Sequence, residues 1–96
     1  MRNVTVNPIT QGSTDVIYYN FDFALDGTPT TAACTLLDMT TQAPTSNLVG
    51  VAIINGTVVT TPGVAALAAG KKYRLICSAT ISGNTMSAYV DIVCDY

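Results

Sequence analysis

Between residues 15 and 25 the side chains alternate in kind. Ile17, Tyr19, Phe21, Phe23 and Leu25 share one side, and Tyr18, Asn20, Asp22 and Ala24 share the other. A period of two belongs to a strand with one buried face. The pattern returns at 71–81, with Tyr73, Leu75, Cys77 and Ala79 aligned. It returns again at 85–95, where Met86, Ala88, Val90, Ile92 and Cys94 oppose Ser87, Tyr89, Asp91 and Val93. Near the start, Val4 and Val6 alternate with Thr5, and Pro8 ends free ladder pairing, as at an edge strand. Segment 31–39 is ambiguous, since Cys34 and Leu36 compete with Leu37 and Met39 for the inward face. Segments 48–54 and 57–61 flank Asn55-Gly56, the strongest short hairpin signal, because both central turn residues there take positive φ. Turns are expected at 11–14, 26–29, 62–63 and 82–84. Residues 40–47, with Pro44, read as a loop. Residues 64–69 are too short for a stable helix and read as a single helical turn or an irregular corner.

About seven short strands separated by frequent turns predict two antiparallel sheets packed face to face, an all-β sandwich. An up-and-down barrel of eight strands would need a longer chain. The chain has 96 residues, one domain's worth, so 1–96 is expected to form a single domain. If Gly83 and Asn84 are the central residues of the last turn, Cys77 lies opposite Val90 and Cys94 opposite Tyr73. In that frame the two cysteines are not cross-strand partners. With three cysteines and no visible secretory signal, free thiols are expected in place of a disulfide framework.

Charge changes the picture. Only 10% of the residues are charged, against about 25% in an average soluble domain. Six are Asp, four are Lys or Arg, and Glu is absent. So few cations exclude a phosphate-neutralising patch, and no nucleic-acid partner is expected. No apolar run is long enough to span a bilayer as a helix, and since the opening Met1-Arg2-Asn3 leads straight into alternation, no secretory signal is expected. A surface poor in charge is readily desolvated, as interface cores are, so burial in a larger assembly is expected. Outward-facing Tyr18 and Tyr89 are the candidate interface anchors. Lys71-Lys72-x-Arg74 is either a solvated strand start or a docking contact for an acidic partner.

The groups of common catalytic and metal sites are missing. There is no His, hence no Ser-His-Asp arrangement and no imidazole ligand. No Cys-x-x-Cys pair supports zinc, and no glycine-rich loop precedes a helix. Asp22 and Asp26 bracket a strand end without the spacing of a calcium loop. Asp91 and Asp95 read as solubilising edge charges. No enzyme activity, catalytic residue, metal or cofactor is expected.

The stretch Leu67-Ala68-Ala69-Gly70-Lys71-Lys72-Tyr73 resembles the E–F corner of fibronectin type III and other immunoglobulin-like domains. The resemblance implies an immunoglobulin-like β-sandwich of about seven antiparallel strands, with Leu67 plugging the core, Gly70 permitting the turn and the Tyr73 hydroxyl tied back to the backbone. More widely, Tyr19-Asn20-Phe21-Asp22-Phe23, Gly70-Lys71-Lys72-Tyr73 and Ala79-Thr80-Ile81-Ser82-Gly83-Asn84-Thr85 are similar to segments of small virion proteins of tailed bacteriophages. That resemblance implies a capsid decoration protein or a fibre–tail adaptor. It also implies residence in the virion after synthesis in the host cytoplasm, other capsid or tail subunits as partners, and many copies or a homo-oligomer. The commoner adaptors have an Asp-Pro-x-Ala start, where this chain has Arg2-Asn3-Val4-Thr5-Val6. The alternative is a carbohydrate- or host-surface-binding module. It would call for Trp or clustered Tyr at loop tips, and the chain has no Trp.

Overall fold

A computed structural model describes residues 2–3, 9–23, 27–45 and 47–94. The expected alternation of Val4 with Val6, the stop at Pro8, and the positions of Ala24, Leu25, Asp26 and Asp95 lie outside these residues. The chain is all-β, with no helix among the described residues. Its strands are β1 (Arg2–Asn3), β2 (Ile9–Gln11), β3 (Asn20–Asp22), β4 (Thr31–Asp38), β5 (Ala43–Pro44), β6 (Leu48–Val49), β7 (Ile53–Asn55), β8 (Val58–Thr60), β9 (Gly63–Val64), β10 (Lys72–Ile81) and β11 (Asn84–Cys94).

The largest sheet runs β1-β11-β10-β4-β5, with β2 also on β11. Its pairings are antiparallel except for β1 and β2, which both run parallel to β11. The expectation of purely antiparallel sheets is therefore corrected. The N-terminal segment joins the sheet by crossing from one end of the chain to the other, a pairing that no local turn signal announces. A second sheet has the order β3-β8-β7, and β6 pairs with β9.

Strand β10 shows why the chain folds in this way. Tyr73, Leu75, Cys77, Ala79 and Ile81 alternate as buried residues with half-buried Arg74, Ile76, Ser78 and Thr80. Ala88, Val90, Ile92 and Cys94 of β11 and Leu36 of β4 extend the same apolar face. Phe21 and Val59 of the second sheet close onto it, together with Phe23, Val64 and Leu67, in one core cluster. The rank Phe21–Val59–Ile54 crosses β3, β8 and β7 on the inner side. The arrangement is compatible with a β-sandwich. The ambiguous segment 31–39 resolves with Leu36 and Asp38 buried, Cys34 packed against the core, and Leu37 and Met39 on the outer side.

Several sequence expectations shift. The long strand at 15–25 keeps its alternation through Phe23 but breaks as a ladder. Asn20 pairs with Thr60, whereas Ile17 bridges Val64. One extra residue therefore sits on the 60–64 side, a bulge at Thr61 and Pro62. Proline has no amide to donate there; Thr61 N donates to Tyr19 O at 2.8 Å, and the Thr61 hydroxyl takes the place of a ladder carbonyl by accepting from Tyr19 N at 3.1 Å. Segment 48–54 splits at Gly50, whose φ is +94°, so that β6 and β7 serve different partners. The expected loop at 40–47 contains the short edge strand β5, and 64–69 is an irregular corner with no helical turn.

Both hairpins form, each in a frame one residue earlier or later than the sequence suggested. Asn55 pairs with Val58, so Gly56 and Thr57 are the central residues. Only Gly56 takes positive φ, +63°, the pattern of a type II′ turn. In the last hairpin Ile81 pairs with Asn84. Ser82 and Gly83 are central, with φ of +51° and +81°, the type I′ pattern. This corrects the cysteine geometry: Cys77 faces Ala88 and Tyr73 faces Ile92 on β11.

Gln11 is fully buried. Its Nε2 donates to Val64 O at 2.7 Å and to Asp15 O at 3.2 Å. Its Oε1 accepts the Tyr19 hydroxyl at 2.6 Å. Since β2 belongs to the large sheet through β11, this carboxamide ties that sheet to β9 and to the segment before β3. Replacing Gln11 with Ala removes the acceptor of the Tyr19 hydroxyl and leaves the Val64 carbonyl with only the Ile17 amide at 3.1 Å, and should lower stability by about 1–3 kcal/mol in urea unfolding.

Burial, and secondarily the charge of Asp15, pushes the Tyr19 hydroxyl up to about 12 from its ordinary 10.0. A pKa raised on folding gives stability that is complete below the unfolded value and lost as pH climbs through the folded one. Unfolding midpoints should therefore fall between pH 10 and 12. Tyr19→Phe should remove that portion of the decline.

Candidate interaction site

The corner before β10 is built from three residues. Leu67 is buried in the core. Gly70 turns the chain with φ of +85°, a left-handed conformation that glycine adopts without steric cost. Its amide donates to Cys94 O at 2.6 Å, and the Tyr73 hydroxyl accepts from Ala68 N at 3.0 Å. The corner is a structural tie, and it positions the cations that follow. Tyr73→Phe removes one hydrogen bond from an otherwise filled site. It should cost about 1 kcal/mol in chemical denaturation with the fold retained.

The cations do not form a free basic patch. The Lys71 ammonium lies 3.2 Å from Asp38 Oδ2. The Thr40 amide, at 2.9 Å from Oδ1, and Lys71 together hold the Asp38 carboxyl below its ordinary value. Arg74 makes a two-pronged contact with Asp91, at 2.7 Å and 3.2 Å, and this raises the Arg74 pKa. Arg74 also stacks over the Tyr89 ring, 4.2 Å from its centre. Two of the three cations in Lys71-Lys72-x-Arg74 are thus engaged inside the molecule, leaving exposed Lys72 without a local cluster. Asp91 is likewise no edge charge: β11 lies between β10 and the N-terminal strands, and Asp91 sits directly opposite Arg74. A groove of about 200 Å³ beside this pair is lined by Met39, Lys72, Tyr73, Arg74, Asp91, Ile92 and Val93. That is below the roughly 300–1,000 Å³ usual for small-molecule sites.

Tyr89 lies on β11 of the large sheet, and Tyr18 lies in the segment before β3. Tyr89 is half-buried beneath Arg74, whereas Tyr18 is 58% exposed. Tyr18 stands in an apolar face with Val16, Val49, Val51 and Ile53, all more than half exposed. Gly63 makes the face continuous. Val49 is its partner on one side, and Val16 and Tyr18 close over it from the other: a β-carbon on Gly63 would lie 3.0 Å from Val16 Cγ1 and 3.1 Å from Tyr18 Cζ. Further along, Ile53 and Asn20 flank Thr60, whose hydroxyl donates to Asn20 Oδ1 at 2.7 Å. Sequence reading singled out Tyr18 but missed the four aliphatic members. Val49, Val51 and Ile53 lie outward in one phase, alternating with Leu48, Ala52 and Ile54, which pack against the core.

No family model, curated protein or solved structure matches the chain.

Among the described residues, no three His, Cys, Asp or Glu side chains group as metal ligands. No helix among the described residues is long and apolar enough to cross a membrane. The arrangement offers contact chemistry: one apolar sheet face, and one face whose charges are neutralised in place.

Proposed function

We propose that the chain is an immunoglobulin-like β-sandwich that acts as a structural protein of a tailed-phage virion, bound to the assembled particle as a capsid decoration protein or a fibre–tail adaptor. The observation that carries an assembly role is the outward face of Val16, Tyr18, Val49, Val51 and Ile53, on a chain with very little charge to keep it apart from neighbours. Contiguous exposed apolar surface marks sites of association, and Tyr is enriched among the residues that dominate binding. The phage assignment rests on the sequence resemblance.

Strand order supports the immunoglobulin-like reading. With short segments merged, the second, fourth and fifth strands make one sheet in the order β3-β8-β7. The third, sixth and seventh make the other, in the order β4-β10-β11. Constant-type immunoglobulin domains divide these six strands in the same way; the N-terminal strands depart from that pattern, pairing with β11 in place of joining the β3 sheet. The Tyr73 tie at the corner before β10 is a second mark of that fold. Decoration needs no catalysis: a protein that binds only the assembled shell stabilises it by mass action.

Light scattering on the purified chain, with and without isolated tailed-phage capsids, tests the proposal. Binding at many copies per capsid supports decoration, and a ring or trimer that ignores capsids supports an adaptor. A monomer that binds no particle overturns both, and binding to a glycan array instead would favour a carbohydrate-recognition module. Exposed substitutions usually change stability by less than about 0.5 kcal/mol. The double variant Val51→Asp, Ile53→Asp should therefore keep its melting temperature and lose at least tenfold in association.

A further inference from the structure

The register of β4 on β10 places Cys34 directly opposite Cys77. Both side chains are on the core side of the sheet, Cys77 fully buried and Cys34 half-buried against the core cluster. All three cysteines are free thiols. The kind of pair they occupy follows from the ladder. Met39 N donates to Lys72 O at 3.0 Å, so 39–72 is a hydrogen-bonded rank. Ranks alternate along an antiparallel pair, which makes 37–74 and 35–76 hydrogen-bonded and 34–77 a non-hydrogen-bonded rank. In such ranks the α-carbons approach to about 4.5 Å and the side chains are closest. Disulfides span α-carbon separations of roughly 4.4–6.8 Å.

Cys94 has no access to this pair. Its amide donates to Lys71 O, and Lys71 lies six residues along the chain from Cys77, about 20 Å at strand rise.

We propose that Cys34 and Cys77 are a reversible cross-strand disulfide site, closed by exchange with a low-molecular-weight disulfide such as oxidised glutathione. The two thiols differ in character. The hydrogen bond from Cys77 lowers the Cys34 pKa, while the same contact and burial raise that of Cys77. Half-exposed Cys34 is thus the attacking thiolate and buried Cys77 the resolving thiol. The Cys34 thiolate attacks one sulfur of the oxidised glutathione, forming a mixed disulfide and expelling one glutathione thiolate. Cys77 then gives up its proton and attacks Cys34 Sγ. The mixed disulfide breaks, the Cys34–Cys77 bond forms, and a second glutathione thiolate leaves. Two protein thiols are oxidised by two electrons, and one glutathione disulfide is reduced to two thiols.

The test is to hold the full chain in glutathione buffers of rising oxidised fraction, quench by alkylation and map tryptic peptides without reduction. Cleavage after Lys71, Lys72 and Arg74 separates Cys34 from Cys77 and Cys94. The expected product has lost two hydrogen atoms, carries a cross-link between the Cys34 and Cys77 peptides, and reopens on adding reduced glutathione. Cys94→Ala should retain the cross-link. Cys77→Ala should stop at a glutathione adduct on Cys34, and Cys34→Ser should give neither product. Closing the long loop between the cysteines should raise Tm by roughly 10 °C. Three alkylatable thiols after full oxidation of the wild-type buffer would overturn the proposal. So would glutathione adducts without a cross-link, or a cross-link that disappears in Cys94→Ala. The wild-type map together with that of Cys94→Ala decides the matter even if Cys77→Ala fails to fold.

Discussion

Tyr73, Leu75, Cys77, Ala79 and Ile81 must all be kept from water along one face of β10. A long strand with so apolar a face needs partners on both edges and a second layer over it. The flanking strands β4 and β11 satisfy its backbone, and Phe21, Phe23 and Val59 cover its side chains. The corner at Leu67 to Tyr73 starts the strand in the right phase, so that its odd residues face inward. The opposite face then inherits Arg74, and the sheet neutralises that cation on the spot with Asp91 and Tyr89. Core, corner, outer ion pair and cysteine rank are thus different consequences of the phase of one strand.

Facing was legible in the sequence because it depends only on parity. Tyr73 to Ala79 and Ala88 to Cys94 alternate cleanly, and the inward set could be read directly. Register was not, since sliding a hairpin so that paired numbers change by an even amount leaves every side chain on the same face. Ser82-Gly83-Asn84 can seat a two-residue turn in two frames, and hydrophobic pattern does not choose between them. Backbone conformation does: Ser82 and Gly83 both adopt positive φ. The rank of Cys77 followed the frame, and its true neighbour on β4 was invisible because segment 31–39 is apolar on both sides.

Gln11 was illegible for another reason. In Gln11-Gly12-Ser13-Thr14 it looks like a turn residue, and its burial depends on a carbonyl 53 positions away. A polar side chain at a layer junction has no periodic signature; only its partners reveal it. The outer apolar face was half legible. Tyr18 stands out in an alternating strand, while in segment 48–54 both phases are apolar, so the outward set of Val49, Val51 and Ile53 could not be told from the inward set of Leu48, Ala52 and Ile54. Pro62-Gly63 reads as a turn in the sequence, whereas in the fold the chain passes through a bulge there and continues as β9.

The parallel pairing of Ile9 with Ile92 has a consequence for the order of events during synthesis. A ribosome delivers β2 well before β11, so β2 waits for β11 before it has an edge to join. Until then the Gln11 carboxamide stays in water, and the hydrogen bonds that lock β2 to β9 cannot close. Contacts between distant chain segments slow folding because loop entropy must be lost before they form. The large sheet can therefore be complete only once residues 84–94 have been made and the N-terminal segment has an edge to pair with.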